Sequence, residues 1–219
     1  MYCPAHFEET RVELLQQLIA EHPLATVVRI GPDGLVADHV PLLYVPGDTG
    51  WGHLIGHVAR ANSLWQMPPE EELLLVFQGP QTYISPNWYA TKAESGKVVP
   101  TWNYAVVHVH ATLAPVHERE ALLDILTRLT KRHEATQPHP WHLTDAPTEF
   151  TDKMLGQIVG LRLEIRRLQG KWKVSQNQPE VNQIGVVAGL LEQGTDDSTM
   201  MAQIVEATVM KANQPAQTR

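Results

Sequence analysis

Thr101-Trp102-Asn103-Tyr104-Ala105-Val106-Val107-His108-Val109-His110-Ala111-Thr112 alternates more cleanly than any other stretch of the chain. On an extended backbone Ala105, Val107, Val109, Ala111 and Leu113 fall on one face, and Trp102, Tyr104, His108 and His110 on the other. One face belongs to a core and the other is partly polar, the pattern of a strand in an antiparallel sheet. Toward the N-terminus, Glu72 to Tyr83 reads as another strand. Before it, Leu24–Ile30, Leu35–Val45 and Trp51–Val58 are apolar, β-branched runs. They are separated by Gly31-Pro32-Asp33-Gly34 and Pro46-Gly47-Asp48-Thr49-Gly50, which is turn chemistry, so three antiparallel strands are expected in succession as hairpins. Residues 8–21 place Leu14, Leu15, Leu18 and Ile19 on one helical face, with Glu8 and Glu9 at the positive end of the helix dipole.

Toward the C-terminus, Glu118–His133 is amphipathic through Leu122, Ile125, Leu126 and Leu129, and Gly160–Leu168 returns to strand with Leu161, Leu163 and Ile165 inward. Val181–Leu191 and Ser198–Met210 read as helices joined by Glu192-Gln193-Gly194-Thr195, and the tail after Lys211 as frayed. At least six strands, two or three flanking helices and no βαβ alternation predict a mainly β, α+β fold, an antiparallel split barrel with C-terminal helices. The expected organisation is a barrel domain over 1–175 with a helical insertion near 118–155, and a helical appendage over 176–219 packed on the same domain.

The 219 residues carry 17 Lys+Arg against 24 Asp+Glu, a formal charge of −7, with a single cysteine, Cys3. One cysteine excludes an intramolecular disulfide framework and a four-cysteine zinc site. No apolar run of about 18 residues exists to span a membrane, and Met1-Tyr2-Cys3-Pro4-Ala5-His6 lacks the pattern of a signal peptide, so a cytoplasmic protein is expected. The acidic balance argues against a broad nucleic-acid surface, which needs clustered Lys and Arg.

Three segments could carry chemistry. Gly56-His57-Val58-Ala59-Arg60-Ala61-Asn62 brings His57, Arg60 and Asn62 to a strand end before the short apolar helix Ser63–Gln66, and a guanidinium fork with free backbone N–H groups suits an anion. The plainer alternative is Arg60 in a surface ion pair and Asn62 as a helix N-cap. In the second segment, Phe77, Tyr83, Trp88, Tyr89, Trp102 and Tyr104 gather among Asn, Ser and Pro although the chain has only six Trp, five Tyr and three Phe. Such clustering suits either a flat ring ligand or an aromatic minicore. The third, 162–173, holds five basic residues and one acidic, Lys171 and Lys173 flanking Trp172 ahead of Ser175-Gln176-Asn177. His108 and His110 share a strand face, but nothing in the sequence supplies an obvious further set of ligands, and no metal site is assigned.

Taken together, Met-Tyr-x-Pro-x-His-Phe (1–7), His-Val-Ala-Arg-Ala-Asn (57–62), Gly-Pro-x-x-Tyr-Ile-Ser-Pro-x-Trp-Tyr (79–89), Val-Pro-Thr-Trp-Asn-Tyr (99–104) and Lys-x-Ser-Gln-Asn (173–177) resemble the PaiB-type family of FMN-binding negative transcriptional regulators. That family's fold is the flavin split barrel shared with pyridoxamine-phosphate-oxidase-like flavoproteins. The resemblance implies a homodimer with FMN at the subunit interface. The 5′-phosphate is then expected near His57, Arg60 and Asn62, and the isoalloxazine along Ala37, Asp38 and His39. Trp102, Asn103 and Tyr104 from the partner's aromatic segment wall the ring, and Lys173 and Gln176 complete the site. FMN rather than FAD is expected, because no Gly-x-Gly-x-x-Gly turn exists in the chain.

The resemblance further implies a negative transcriptional regulator or flavin-dependent sensor; the alternative is an FMN oxidoreductase on an unidentified small substrate, and no catalytic residue is assigned. Direct, sequence-selective DNA binding is not expected. The one helix-turn-helix-like pair, 180–191 and 196–210, opens its second helix with Asp196-Asp197 and contains Glu206, the wrong charge for a major groove.

Overall fold

The computed structural model describes residues 1–47 and 50–212. Eight strands form one antiparallel sheet: β1 (Glu8–Glu9), β2 (Leu24–Gly31), β3 (Gly34–Pro41), β4 (Leu43–Val45), β5 (His53–Ala59), β6 (Glu72–Ile84), β7 (Thr101–Val116) and β8 (Ile158–Lys173). Their order is β3-β2-β6-β7-β8-β5-β4, with β1 on β8. The helices are α1 (Val12–Glu21), α2 (Lys92–Ser95), α3 (Arg119–Glu134), α4 (Thr148–Leu155), α5 (Glu180–Gln193) and α6 (Asp196–Ala212). By its contacts the chain forms two compact units, one of residues 1–12, 78–107 and 169–219 and one of residues 13–77 and 108–168.

The unit of 13–77 and 108–168 begins with the β2–β3 hairpin, whose register runs from Leu24↔Pro41 to Gly31↔Gly34. Gly34 closes its turn at φ 113°, a backbone conformation that side chains disfavour. Alternation then sorts the residues: Ala25, Val27 and Val40 are buried while Leu24, Ile30 and Leu35 are exposed. The run read as one strand over 35–45 breaks at Leu42, which is 1% exposed and whose N–H donates to Pro23 O. β3 and β4 are therefore separate strands and stand at the two ends of the sheet, one residue apart in the chain, so the sheet is open rather than hydrogen-bonded into a ring. β4 and β5 pair as a hairpin, and β5 pairs with β8 from His53↔Glu164 to Ala59↔Ile158. α3 lies on these strands, packing Ile125 and Leu129 against Ile55, Leu43, Val45 and Val116.

The other unit differs from expectation at its first element. Glu8 and Glu9 are not a helix turn but a short strand paired with Lys171 and Gly170, and α1 begins only at Val12. Glu9 is buried, and its carboxylate takes hydrogen bonds from the Arg11 backbone N–H and guanidinium. That bonding terminates the strand and leaves α1 to start on its own. α5 and α6 bury Val186, Leu190, Met201, Ala202 and Val205 around Ile84, Tyr89 and Val174. Between the helices Gly194 sits at φ 67° as the α5 C-cap, and Thr195 and Ser198 exchange backbone-to-hydroxyl bonds at the start of α6. The tail expected to fray after Lys211 lies outside the described residues apart from Ala212, the last residue of α6.

Candidate functional site

Alternation along β3 divides the expected ring-binding triplet. Asp38 lies directly opposite Val27, on the face that also carries Val40, whereas Ala37 and His39 are exposed on the other. Asp38 meets a residue that the sequence reading missed. Arg29 is 8% exposed, shares the core face with Ala25 and Val27, and places its Nε 3.7 Å from Asp38 Oδ2. Its Nη2 donates to Ser63 Oγ at 2.8 Å, and Asn62 Nδ2 donates to Asp38 Oδ1 at 2.8 Å. Asn62 Oδ1 in turn accepts from Leu64 N–H at 2.7 Å. Asn62 is thus the N-cap of the 3₁₀ turn Ser63–Gln66, as in the plainer alternative, and also a link in a half-buried chain from Arg29 to Leu64.

Arg60 departs from the plainer alternative. Its Nε donates to Gly156 O at 2.9 Å and its Nη2 to Ile158 O at 2.8 Å, so its guanidinium is held by backbone carbonyls instead of a carboxylate. It lines a cleft of about 290 Å³ with His117, Arg119, Asp152 and the buried Leu122 and Leu155. His57 leaves β5 on the side shared with Ile55, which packs under α3. Its Nδ1 is buried without a partner, and burial holds the imidazole below its ordinary pKa.

The structure does bring Asn103 and Lys173 together. Both line a cavity of about 170 Å³ with Tyr89, Thr101, Ser175 and Gln178. Asn103 is 1% exposed; its Nδ2 donates to Ser175 Oγ at 2.9 Å while its Oδ1 has no partner. Ser175 is held at φ 64°, the one non-glycine positive φ among the described residues. Such strain persists where the surroundings impose it. Lys173 Nζ donates to Thr101 Oγ1 and, at 2.7 Å, to Trp102 O. Burial first, then the neighbouring Lys171, lowers the Lys173 pKa. Gln176 turns its amide inward, to Val174 N–H and Trp172 O. Trp102 is 49% exposed, with its indole N–H on Gln81 Oε1 at 3.2 Å and its ring edge-on to Tyr83. Tyr104 stacks under Lys171, whose Nζ is 5.2 Å from the ring centroid.

The basic run 162–173 is largely consumed by local partners: Arg162 by Glu164 and His53, Arg167 by His110, Arg166 by Thr112. His110 also meets Glu72 at 2.7 Å. Among the described residues no group of three or more His, Cys, Asp or Glu is placed to hold a metal ion.

A flavin mononucleotide needs cationic donors for its phosphate, polar groups for the ring edge and an aromatic or apolar wall. The residues present fit that donor set. Four side-chain atoms among the described residues are buried without a hydrogen-bond partner: Asp38 Oδ2, His57 Nδ1, Asn103 Oδ1 and Arg29 Nε. Arg29 Nε and Asp38 Oδ2 face each other as an ion pair at 3.7 Å, which leaves His57 Nδ1 and Asn103 Oδ1, both on residues expected to hold FMN, and an orphaned buried polar atom is costly unless something satisfies it.

The sequence profile of a family described as "Putative FMN-binding domain" matches residues 1–167. Protease synthase and sporulation protein PAI 2 of Bacillus subtilis is 30% identical over 212 residues, covering 96% of this chain and 99% of that protein. Among solved structures, the FAD and heme binding protein of Mycobacterium smegmatis superposes with a TM-score of 0.56 at 19% identity, over 75% of this chain and 72% of that one. The flavocytochrome Anf3 of Azotobacter vinelandii gives 0.55 at 13% identity, over 76% and 69%. At these identities the two structures bear on the fold alone: a flavin split barrel.

Proposed function

The chain belongs to the PaiB-type FMN-binding family and has FMN as its cofactor, and from that premise we propose that it is a flavin-dependent sensor and negative regulator of transcription, working as a homodimer. FMN supplies a redox-active, visibly absorbing ring. In this reading the β3 backbone at Ala37, Asp38 and His39 lies along the ring. The 57–62 segment serves the phosphate, and Asn103, Lys173, Gln176, Trp102 and Tyr104 of the partner subunit close the other side. The observation that supports the reading is the presence of two buried side-chain atoms without a hydrogen-bond partner, His57 Nδ1 and Asn103 Oδ1. Regulation passes through protein partners, because α6 opens on Asp196 and Asp197 and repels a phosphate backbone.

Visible absorption of the purified protein, followed by FMN titration of stripped protein, tests the cofactor arrangement. Replacing Asn103 with Leu keeps the volume and removes the polar atoms, and is expected to weaken FMN binding. Steady-state oxidation of NAD(P)H with flavin turnover would favour the oxidoreductase alternative; a flavin that is reduced once and stays reduced favours the sensor.

A further inference from the structure

We propose that the outward face of α5 is a docking surface for a basic, amphipathic helix of another protein. This rests on the reading that regulation passes through protein partners, and it names the surface and the chemistry of what binds there. α5 has its polarity inverted at its start. Asn182 and Gln183 are buried, the Asn182 amide bonded to Thr91 and Gln178 and the Gln183 amide donating to Gln178 O at 2.7 Å. Their apolar neighbours Val181 and Ile184 are 49% and 57% exposed. Further along, Val186, Gly189 and Leu190 face inward against Trp88 and α6, while Ala188 and Leu191 face solvent, Leu191 at 56% exposure.

Val181, Ile184, Ala188 and Leu191 are spaced three, four and three residues apart, the interval that lines side chains along one stripe of a helix, here about 15 Å long. A surface helix carries polar residues opposite its core face, and one that is apolar on both faces belongs between two layers. The fold supplies one layer. Charge decides what supplies the other. Between Val174 and Met210 the chain carries Glu180, Glu192, Asp196, Asp197 and Glu206 and no lysine, arginine or histidine. Glu192 stands one turn beyond Ala188, beside the stripe, and Asp196 and Asp197 follow the Gly194 cap; all three are exposed. A second copy laid on this face would set five carboxylates against five, and nucleic acid or an anionic lipid surface would bring phosphate up to them. An amphipathic helix with apolar anchors at matching spacing and lysine or arginine on its flanks buries the stripe and pairs with the acidic rim.

The probe is a synthetic amphipathic helix of leucine and lysine, with a version carrying glutamate for lysine as control, titrated by fluorescence anisotropy into the FMN-loaded full chain at physiological salt. The basic peptide is expected to bind and the acidic one not to. Ile184→Gln combined with Leu191→Gln keeps the net charge and the helix propensity, and is expected to weaken the basic peptide about tenfold or more. Glu192→Gln combined with Asp197→Asn is expected to weaken it severalfold and to flatten its salt dependence. The substituted side chains are exposed, and thermal melts with unchanged FMN affinity confirm that the variants fold. A basic peptide that fails to bind, or that binds the Gln variant as it binds wild type, overturns the proposal. So does self-association, or binding to phosphatidylserine vesicles, that the Gln variant loses, since a second copy or a membrane would then cover the face. Failure of the regulatory reading shows separately: a preferred duplex selected by the chain alone from a random DNA pool would overturn partner-mediated regulation, and this face's part in it, even where the peptide still binds.

Discussion

Arg29 was legible in principle. It stands in line with Ala25 and Val27, and a charge on the core face of a strand demands a partner. Asp38, opposite Val27 and so diagonal to Arg29, is that partner. Arg29 passes for an ordinary solvent-facing residue in the linear sequence because register, which places Asp38 within its reach, is a tertiary property. Removing one member of a buried pair strands the other, which costs about 3 kcal/mol or more. Arg29→Met should therefore destabilise the protein by about that amount in urea unfolding, and Arg29→Met combined with Asp38→Asn should recover much of it; equal losses in the single and double variants would mean that packing, not charge, is at stake. His57 makes a prediction in pH. Burial lowers its pKa in the folded protein below the ordinary 6.5, so between the two values the unfolded chain binds more protons. Stability is then fully present above about pH 6.5 and declines as pH falls toward the folded value. His53 and His108, also lowered chiefly by burial, act in the same direction. His57→Gln should lose less stability than wild type between pH 7.5 and 5.5, and an identical pH response in the two proteins would refute the assignment.

Among the elements, the alternation of 101–112 does define a strand, and the structure extends it to Val116. The helix expected over 8–21 fails in its first turn because Glu8 and Glu9 satisfy a helix dipole and a strand edge equally well, and only pairing with distant Lys171 decides between them. The strand 35–45 is interrupted for a similar reason: nothing local marks Leu42, whose N–H is claimed by Pro23. α5 was readable as a helix, but what its glycines serve was not. A Cβ at Gly189 would lie 2.3 Å from the Trp88 indole, and one at Gly185 would lie 2.0 Å from Trp88 O. The groove those glycines leave seats the aromatic segment 86–88. Alanine gains about 1 kcal/mol in helix propensity over glycine, while overpacking costs about 1–3 kcal/mol, so Gly189→Ala should be neutral to destabilising by up to about 2 kcal/mol. Gly185→Ala should cost more, because the opposing atom is backbone and cannot rotate away as the indole can. Thermal melts of the two variants rank them; a Gly185→Ala protein more stable than Gly189→Ala would show that the helix shifts freely over this contact.

At the scale of the whole molecule, the shared-site reading links dimerisation to flavin. If FMN touches the 57–62 segment of one subunit and Trp102 and Lys173 of the other, it binds the dimer better than the monomer and must stabilise the dimer by mass action. Trp102 is placed to report this. It does not fill the interior of its own subunit: nearly half of it is exposed, its orientation fixed by Gln81 and Tyr83. An exposed, oriented tryptophan on a strand expected at a two-fold axis is the kind of anchor that dominates interface energetics, where truncation costs about 2 kcal/mol or more. Trp102→Ala should accordingly leave the melting temperature of the subunit nearly unchanged, since little buried surface is lost. It should raise the dimer dissociation constant by about thirtyfold, and it should weaken FMN binding under conditions where the wild type is dimeric. Sedimentation velocity of both proteins across a concentration series, with and without FMN, reads all the coupled quantities. Dissociation constants for the dimer that do not move on adding FMN, or a wild-type monomer that binds FMN with full affinity, would confine the flavin to a single subunit and remove Trp102 from its site.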